Sequence, residues 1–510
     1  MISRVHSFVL QGIDAIPCEI EADLSPVGLP RTTVVGLPDT AVKESVERVR
    51  TAMQNCGFRY SHERVTINLA PADVRKEGPV YDLPIAIALL IADRTIDPRS
   101  ERGRHLANEF FIAGELALDG RIRPIKGAIG LALLAKERKA RGVIVPADNA
   151  PEAAAVDDIE VLGAKTLGEV VGLFNGISEI AAQPRIDADQ IISSTQPEVD
   201  FADVRGQEAA KRAMTIAASG GHNILMLGPA GTGKTMMAKA LAGVLPPLSR
   251  DEALEVTRIY SSVGLVPPGQ PLIRRRPVRM PHHTASTSAI VGGGTIPRPG
   301  DVTLAHRGVL FLDEVPEFGR DVLESLRQPL EDGCVTIARS HSSMRFPARF
   351  MLVGALNPTP KGNMPADEIG QRAMERYLSK LSGPLIDRID IHIEVPAVSY
   401  GMLTSGTKGT NTASIREQVR HARMVQVNRQ GSGHLNSELS GKVLNRFVRL
   451  DALAQATLGQ AMTELGLSAR AYDKIRRVAR TIADLEASES VEMSHISEAV
   501  QYRLLDRTLV

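Results

Sequence analysis

Eight consecutive residues, Gly228-Pro229-Ala230-Gly231-Thr232-Gly233-Lys234-Thr235, follow the pattern G-x-x-x-x-G-K-[ST]. They come after the apolar run Ile224-Leu225-Met226-Leu227 and open a helix expected from Met236 to Leu245. This strand–loop–helix setting is what a phosphate-cradling loop requires. Glycines let backbone N–H groups approach phosphate closely, and the helix N-terminus adds a favourable dipole. Lys234 is placed to reach the β- and γ-phosphates of ATP, and the Thr235 hydroxyl to bind Mg²⁺.

A second run, Val309-Leu310-Phe311-Leu312, ends in Asp313-Glu314. Asp313 at a strand end can hold Mg²⁺, directly or through water. Glu314 can orient and polarise an attacking water. A third stretch, Phe350 to Leu356, leads into Asn357-Pro358. Asn357 there can hydrogen-bond the γ-phosphate or the water, although an ordinary Asn-Pro turn uses the same two residues.

The elements that must hold these groups are legible around them. Short apolar runs between helical segments suit buried parallel strands. Residues 201–400 therefore read as an α/β domain. Residues 1–175 read as another, with strands at Val5–Leu10, Pro17–Leu24, Arg64–Ala70 and Gly142–Pro146. A helix carrying Val42, Val46, Val49 and Met53 is expected after Asp39-Thr40. Residues 176–200 read as a linker and 401–413, rich in Gly, Ser and Thr, as a connector. From 414 to 510 the pattern is helical, including Tyr472, Ile475, Val478, Ala479 and Ile482.

Composition sets the outer limits. The chain has 510 residues, 43% hydrophobic and 23% charged, a folded and multidomain balance. A net charge of +1 means that any nucleic-acid contact must come from a local basic patch. With no tryptophan and 4% aromatics, a broad base-stacking platform is not expected. Cys18, Cys56 and Cys334 form neither a CxxC pair nor a disulfide ladder, which suits a reducing compartment. The N-terminus lacks a sustained apolar core, and the longest apolar stretch, Leu83 to Ala92, is too short to span a bilayer. A cytoplasmic protein without a membrane partner is the expectation.

The order of the motifs resembles an AAA+ ATPase, and more closely the magnesium-chelatase-like ATPases of the ComM/YifB family. Besides the phosphate loop, the likeness is carried by Phe201-Ala202-Asp203-Val204-Arg205-Gly206-Gln207, Met280-Pro281-His282-His283-Thr284-Ala285-Ser286, Pro297-Arg298-Pro299-Gly300 and Leu304-Ala305-His306-Arg307-Gly308. It continues through Leu381 to Asp390 and Leu467 to Ile482, so it covers almost the whole chain. The resemblance implies an AAA+ core with a C-terminal helical lid and a ring, most simply a homo-hexamer. It casts Arg388 as an arginine finger entering a neighbour's ATP site, and Arg470 as a second sensor at the start of a lid helix. A guanidinium spreads positive charge over a transferring phosphoryl group. On residues alone, Arg388 also suits an ion pair with Asp387 or Asp390, and Arg470 a solvated helix end.

Two further elements follow from that resemblance. Residues 258–303 look like an insert in the core, carrying Arg274, Arg275, Arg276 and Arg279 with His282 and His283. Glu331 to Phe346 looks like a projecting β-hairpin with Arg339, His341 and Arg345. In ring motors such elements face the pore and touch the polymer, which makes these arginines candidates for DNA contact. A solvated charge run fits the arginine triplet equally well. His282-His283 lacks further ligands at metal spacing.

The first domain resembles the proteolytic domain of Lon proteases, a ribosomal S5 domain 2-like α/β fold, through Lys76-Glu77-Gly78-Pro79 and Gly114 to Ile125. The family's nucleophilic serine and its lysine align with Val80 and Ile129, and neither side chain can attack a carbonyl or take a proton. Protease chemistry is not expected, and Lys126 alone does not restore it. Many ComM/YifB members carry cysteines after the sensor Asn-Pro. Here the stretch is Thr359-Pro360-Lys361-Gly362-Asn363-Met364-Pro365, so zinc is not expected. The combined expectation is an ATP- and Mg²⁺-dependent motor acting on single-stranded or branched DNA. Helicase or branch-migration activity in natural transformation follows from the resemblance. The rival is a chelatase-type motor subunit acting on a partner protein.

Overall fold

In the computed structural model, residues 2–503 are described apart from 28, 98, 194–198, 295–296, 340–341, 360–367, 399–408 and 432. They divide into two compact units. One comprises Met1–Ile191 with Ser249–Arg274, and the other Ile192–Leu248 with Arg275–Val510.

The first unit is built on a seven-stranded mixed sheet. Its strand order is Arg31–Val35, Arg64–Ala70, Asp14–Ser25, Ile2–Gln11, Phe110–Ile112, Gly142–Pro146 and Glu160–Ala164. Ile2–Gln11 and Asp14–Ser25 form one long antiparallel hairpin, with Gln11 opposite Asp14. Beside this hairpin lies the helix Asp82–Ala92, every residue of which is buried. That is the role of the longest apolar run: a core helix hydrophobic on all sides. The helix Thr40–Asn55 starts where Asp39 accepts the Val42 N–H at 2.7 Å, and it buries Val42, Val49 and Met53. Val46 is partly buried against the same core.

The chain returns to this unit after the phosphate-loop helix. Ser249 and Glu252 form a reciprocal cap on the helix Arg250–Val263. The Gly127 N–H donates to Ser261 at both its carbonyl (3.1 Å) and its hydroxyl (3.0 Å). Arg258 pairs with Asp14 at 3.3 Å, and Arg250 pairs with Asp157. These contacts correct the expectation of one core insert over 258–303. Residues up to Arg274 belong to the first unit, and those from Arg275 onward to the second.

The second unit carries a five-stranded parallel sheet. Its order is Val278–Arg279, Val309–Leu312, Met351–Leu356, Ile224–Leu227 and Ile391–Glu394. The hairpin Cys334–Arg339 with Ser342–Pro347 forms a separate two-stranded ribbon. Helices follow from Thr412, among them Thr412–Gln430, Ala452–Glu464, Ala469–Leu485 and Met493–Gln501. Ala469–Leu485 buries Ile475, Val478, Ala479 and Ile482 into the same core as the sheet, while Tyr472 lies at its edge. Among the described residues, no helix is long and apolar enough to cross a membrane.

Candidate active site

Register decides which side chains meet. Ile224–Leu227 and Met351–Leu356 run parallel with Leu227 opposite Leu356, so the loop at Gly228 and Asn357 leave the sheet at the same level. The Gly228 N–H donates to the Leu356 carbonyl at 3.1 Å. Gly231 and Gly233 turn the loop with φ of +80° and +90°, a region costing a residue with a Cβ roughly 1–2 kcal/mol. The helix Lys234–Val244 starts directly from Gly233.

Lys234 is only 6% exposed. Its ammonium donates to the carbonyls of Gly228 (2.7 Å) and Pro229 (2.8 Å) and to Asn357 Oδ1 (3.1 Å). Burial lowers its pKa, against the raising charges of Asp313 and Glu314. Thr235 Oγ1 donates to Asp313 Oδ2 at 3.0 Å. Hydroxyl and carboxylate oxygens side by side are the hard donors that suit Mg²⁺. Thr232, 4% exposed, closes the loop on the Pro229 carbonyl at 3.1 Å.

Glu314 follows with φ 51° and ψ 49°, a left-handed conformation uncommon outside glycine. Its N–H donates to Asp313 Oδ1 at 3.0 Å. Its carboxylate remains accessible and lies 3.7 Å from His283 Nδ1. His283 stacks on His282, with ring centroids 4.1 Å apart, and meets the Phe318 ring edge-on. Sequence reasoning missed this neighbour of Glu314. The pair lacks further ligands at metal spacing, and spacing alone does not show which strand end a turn will face.

Arg388 is held by neither neighbouring aspartate. Its guanidinium donates to Glu331 and to the Pro384 carbonyl, and among the described residues Nε is buried without a hydrogen-bond partner. Asp387 instead pairs with Arg470 (3.5 Å), and Asp390 with Lys474 (3.1 Å). Arg470 sits in the first turn of Ala469–Leu485, capped by Ser468, and is largely exposed. Arg470 is thereby tied to the residue that precedes Arg388.

The candidate DNA contacts separate on inspection. Arg274, Arg275 and Arg345 are exposed. Arg276 is committed elsewhere: it donates to the carbonyls of Pro246 (2.6 Å), Arg307 (2.7 Å) and Pro247 (3.2 Å). Arg279 pairs with Asp301 at 2.6 Å, and Arg345 Nε donates to Cys334 Sγ at 3.0 Å. The Arg339 side chain, His341 and residues 360–365 lie outside the described residues.

In the first unit, Ile129 is fully buried in the helix Ala128–Glu137, and its N–H donates to Glu152 at 3.0 Å. Val80 lies in the short turn Pro79–Tyr81. Lys76 is buried, with its ammonium on the Pro71 carbonyl.

Residues 200–403 match the family described as magnesium chelatase, subunit ChlI. Residues 20–149 match a family described as subunit ChlI of Mg-chelatase, and residues 409–503 that subunit's C-terminal family. The competence protein ComM of Haemophilus influenzae is 43% identical over 517 residues, covering 100% of this chain and 98% of that protein. This chain belongs to the ComM/YifB family of magnesium-chelatase-like proteins. Another ComM/YifB relative, the uncharacterized protein YifB of Escherichia coli, is 42% identical over 512 residues. The magnesium-chelatase 38 kDa subunit of Rhodobacter capsulatus is 30% identical over 185 residues, 32% of this chain and 52% of that subunit. The mixed α/β architecture, with a parallel sheet and a helical C-terminal region, fits the AAA+-like fold of the ComM/YifB family.

Proposed function

We propose that this protein is a ring-forming AAA+ ATPase, a homo-hexamer in the cytoplasm, that couples ATP hydrolysis to DNA remodelling. The observation that carries the reading is the convergence of Lys234, Thr235, Asp313 and Asn357 at adjacent parallel strand ends.

In this reading the loop Gly228–Thr235 cradles the phosphates, and Lys234 exchanges its carbonyl partners for β- and γ-phosphate oxygens. Thr235 and Asp313 would hold Mg²⁺, which would supply positive charge against the phosphates. Glu314 draws a proton from water as the water oxygen bonds to the γ-phosphorus. The bond to the β,γ-bridging oxygen breaks, leaving ADP and inorganic phosphate. Asn357 orients the water or the γ-phosphate. Arg388 of the neighbouring subunit stabilises the transferring group, and Arg470 senses the nucleotide beside it.

The first unit is read as an assembly module resembling the Lon proteolytic domain without its Ser–Lys pair, Val80 and Ile129 standing at those positions. DNA contact is assigned to Arg274, Arg275, Arg339 and Arg345, with Arg279 after release from Asp301. The full-length similarity to a competence protein supports a role in natural transformation, and helicase or branch-migration work is the activity this reading gives it there. The similarity to the Rhodobacter capsulatus chelatase subunit covers 32% of the chain, against 100% for ComM, and supports the rival of a motor acting on a protein partner less well.

ATP turnover of the purified chain with single-stranded, duplex and branched DNA separates the two. Stimulation by DNA is the expected result. An identical rate with and without every DNA form would remove DNA as the substrate.

A further inference from the structure

Asn223 immediately precedes the strand that feeds the phosphate loop, and it makes bonds in three directions. Its side-chain Oδ1 accepts the Leu352 N–H at 2.8 Å, on the strand that leads to Asn357. Its Nδ2 donates to the Arg388 carbonyl at 3.3 Å. Its backbone carbonyl accepts the N–H groups of Asp390 (3.1 Å) and Ile391 (3.0 Å), and its own N–H donates to Asp390 Oδ2 at 3.2 Å. One side chain thus joins the sheet that carries the phosphate loop and Asn357 to the backbone of Arg388.

The far side of the joint is also fixed. The Asp390 carboxylate takes the Lys474 ammonium at 3.1 Å, and His222 Nδ1 lies 3.6 Å away. Lys474 and Arg470 stand one helical turn apart on the lid helix and hold Asp390 and Asp387, which flank Arg388. Arg503 donates to the Ile389 carbonyl at 2.6 Å. The four-residue segment Asp387–Asp390 is therefore clamped by the lid from one side and by Asn223 from the other.

We propose that Asn223 is the positioning residue for Arg388, setting the finger a subunit offers its neighbour against the sheet of its own ATP site. The proposal rests on the reading of Arg388 as a finger supplied in trans. Asn223 touches no nucleotide in this arrangement. Its loss degrades what the subunit donates and spares what its own phosphate loop binds. A displacement of about 1 Å at a catalytic group can cost on the order of 10²-fold, so the effect is measurable.

The test mixes full-length subunits and reads ATP turnover, with subunit exchange verified by fluorescence energy transfer. Lys234→Ala subunits have a dead site but an intact finger, and Arg388→Ala subunits have the reverse. Asn223→Ala, and Asn223→Asp (which keeps the acceptor for Leu352 and loses the donor for Arg388), are each mixed with both. Alone, each Asn223 variant should turn over ATP about 10–100-fold more slowly while binding a fluorescent nucleotide as tightly as the parent. Both should recover turnover with Lys234→Ala partners and fail to recover it with Arg388→Ala partners. Equal recovery with both partners, or with neither, overturns the assignment. If Arg388→Ala itself is not rescued by Lys234→Ala, the trans-finger reading fails first, and the assignment of Asn223 fails with it.

Discussion

Lys234 and Asn357 touch, Nζ to Oδ1 at 3.1 Å, although well over a hundred residues of chain separate them. The contact exists because their strands are hydrogen-bonded neighbours in register. In the proposed reading, nucleotide entering the loop draws Lys234 toward phosphate and leaves the Asn357 amide facing the same oxygens. Asn357→Ala is therefore expected to bind ATP within a few-fold of the parent and to slow single-turnover hydrolysis about 10²-fold. Rapid-quench measurement at saturating ATP distinguishes this from a binding defect, which would appear as an unchanged maximal rate.

The arginine triplet should divide by its partners. Arg274→Ala with Arg275→Ala is expected to weaken DNA binding regardless of sequence. It should also reduce the slope of log K against log salt, by about 0.9 for each duplex phosphate the protein no longer neutralises. Arg276→Ala should instead lower thermal stability, because three carbonyls lose charge-assisted donors, with the salt slope unchanged. Fluorescence anisotropy over a salt series, beside a melting curve, reads both. A reduced slope for Arg276→Ala alone would return that residue to the DNA surface.

The clamp on the finger segment has a pH signature. Burial alone would raise the Asp390 carboxyl, but the Lys474 ammonium, with His222 and Arg477 nearby, outweighs it and holds it well below the usual range. A depressed folded value means that this carboxylate stabilises the fold above its unfolded pKa of about 4. The contribution is lost as pH falls below that value. Lys474→Met strands a buried carboxylate and should cost about 3 kcal/mol at pH 7. The cost should shrink progressively below about pH 4 as Asp390 protonates. Urea unfolding followed by circular dichroism at pH 7 and at successively lower pH checks the sign; a cost that grows as pH falls would refute it.

For the first unit, the expected result is no cleavage of casein or other unfolded protein, with or without ATP. Cleavage that co-purifies with the chain and disappears on substitution of a residue within 76–130 would overturn the pseudo-protease reading.

Much of this was legible in sequence because the signals are local. Asp39 caps its helix through a bond three residues long, and the strands Arg64–Ala70, Gly142–Pro146, Ile224–Leu227 and Val309–Leu312 stand where their apolar runs place them. Asp313 and Thr235 could be paired in advance because strand ends in a parallel sheet converge. What escaped depends on contacts between remote segments. Nothing local to Arg388 shows that Glu331 and not Asp387 or Asp390 holds it, since that follows from how the helix Arg327–Asp332 packs. Arg276 reads as one of three equivalent cations until the carbonyls of Pro246, Pro247 and Arg307 are seen around it. The return of 249–274 to the first unit is likewise invisible in periodicity, because an amphipathic helix does not state which core it faces.

The central claim is that these residues hydrolyse ATP, and phosphate release by the purified chain tests it most directly. Parent, Glu314→Gln and Lys234→Ala proteins are compared at saturating ATP with Mg²⁺, alongside nucleotide-binding titrations. The parent should release phosphate steadily. Glu314→Gln should bind ATP as the parent does and turn over about 10²–10⁴-fold more slowly, because the amide cannot accept the water's proton. Lys234→Ala should fail at binding. Phosphate release by Glu314→Gln at the parent rate would contradict the account.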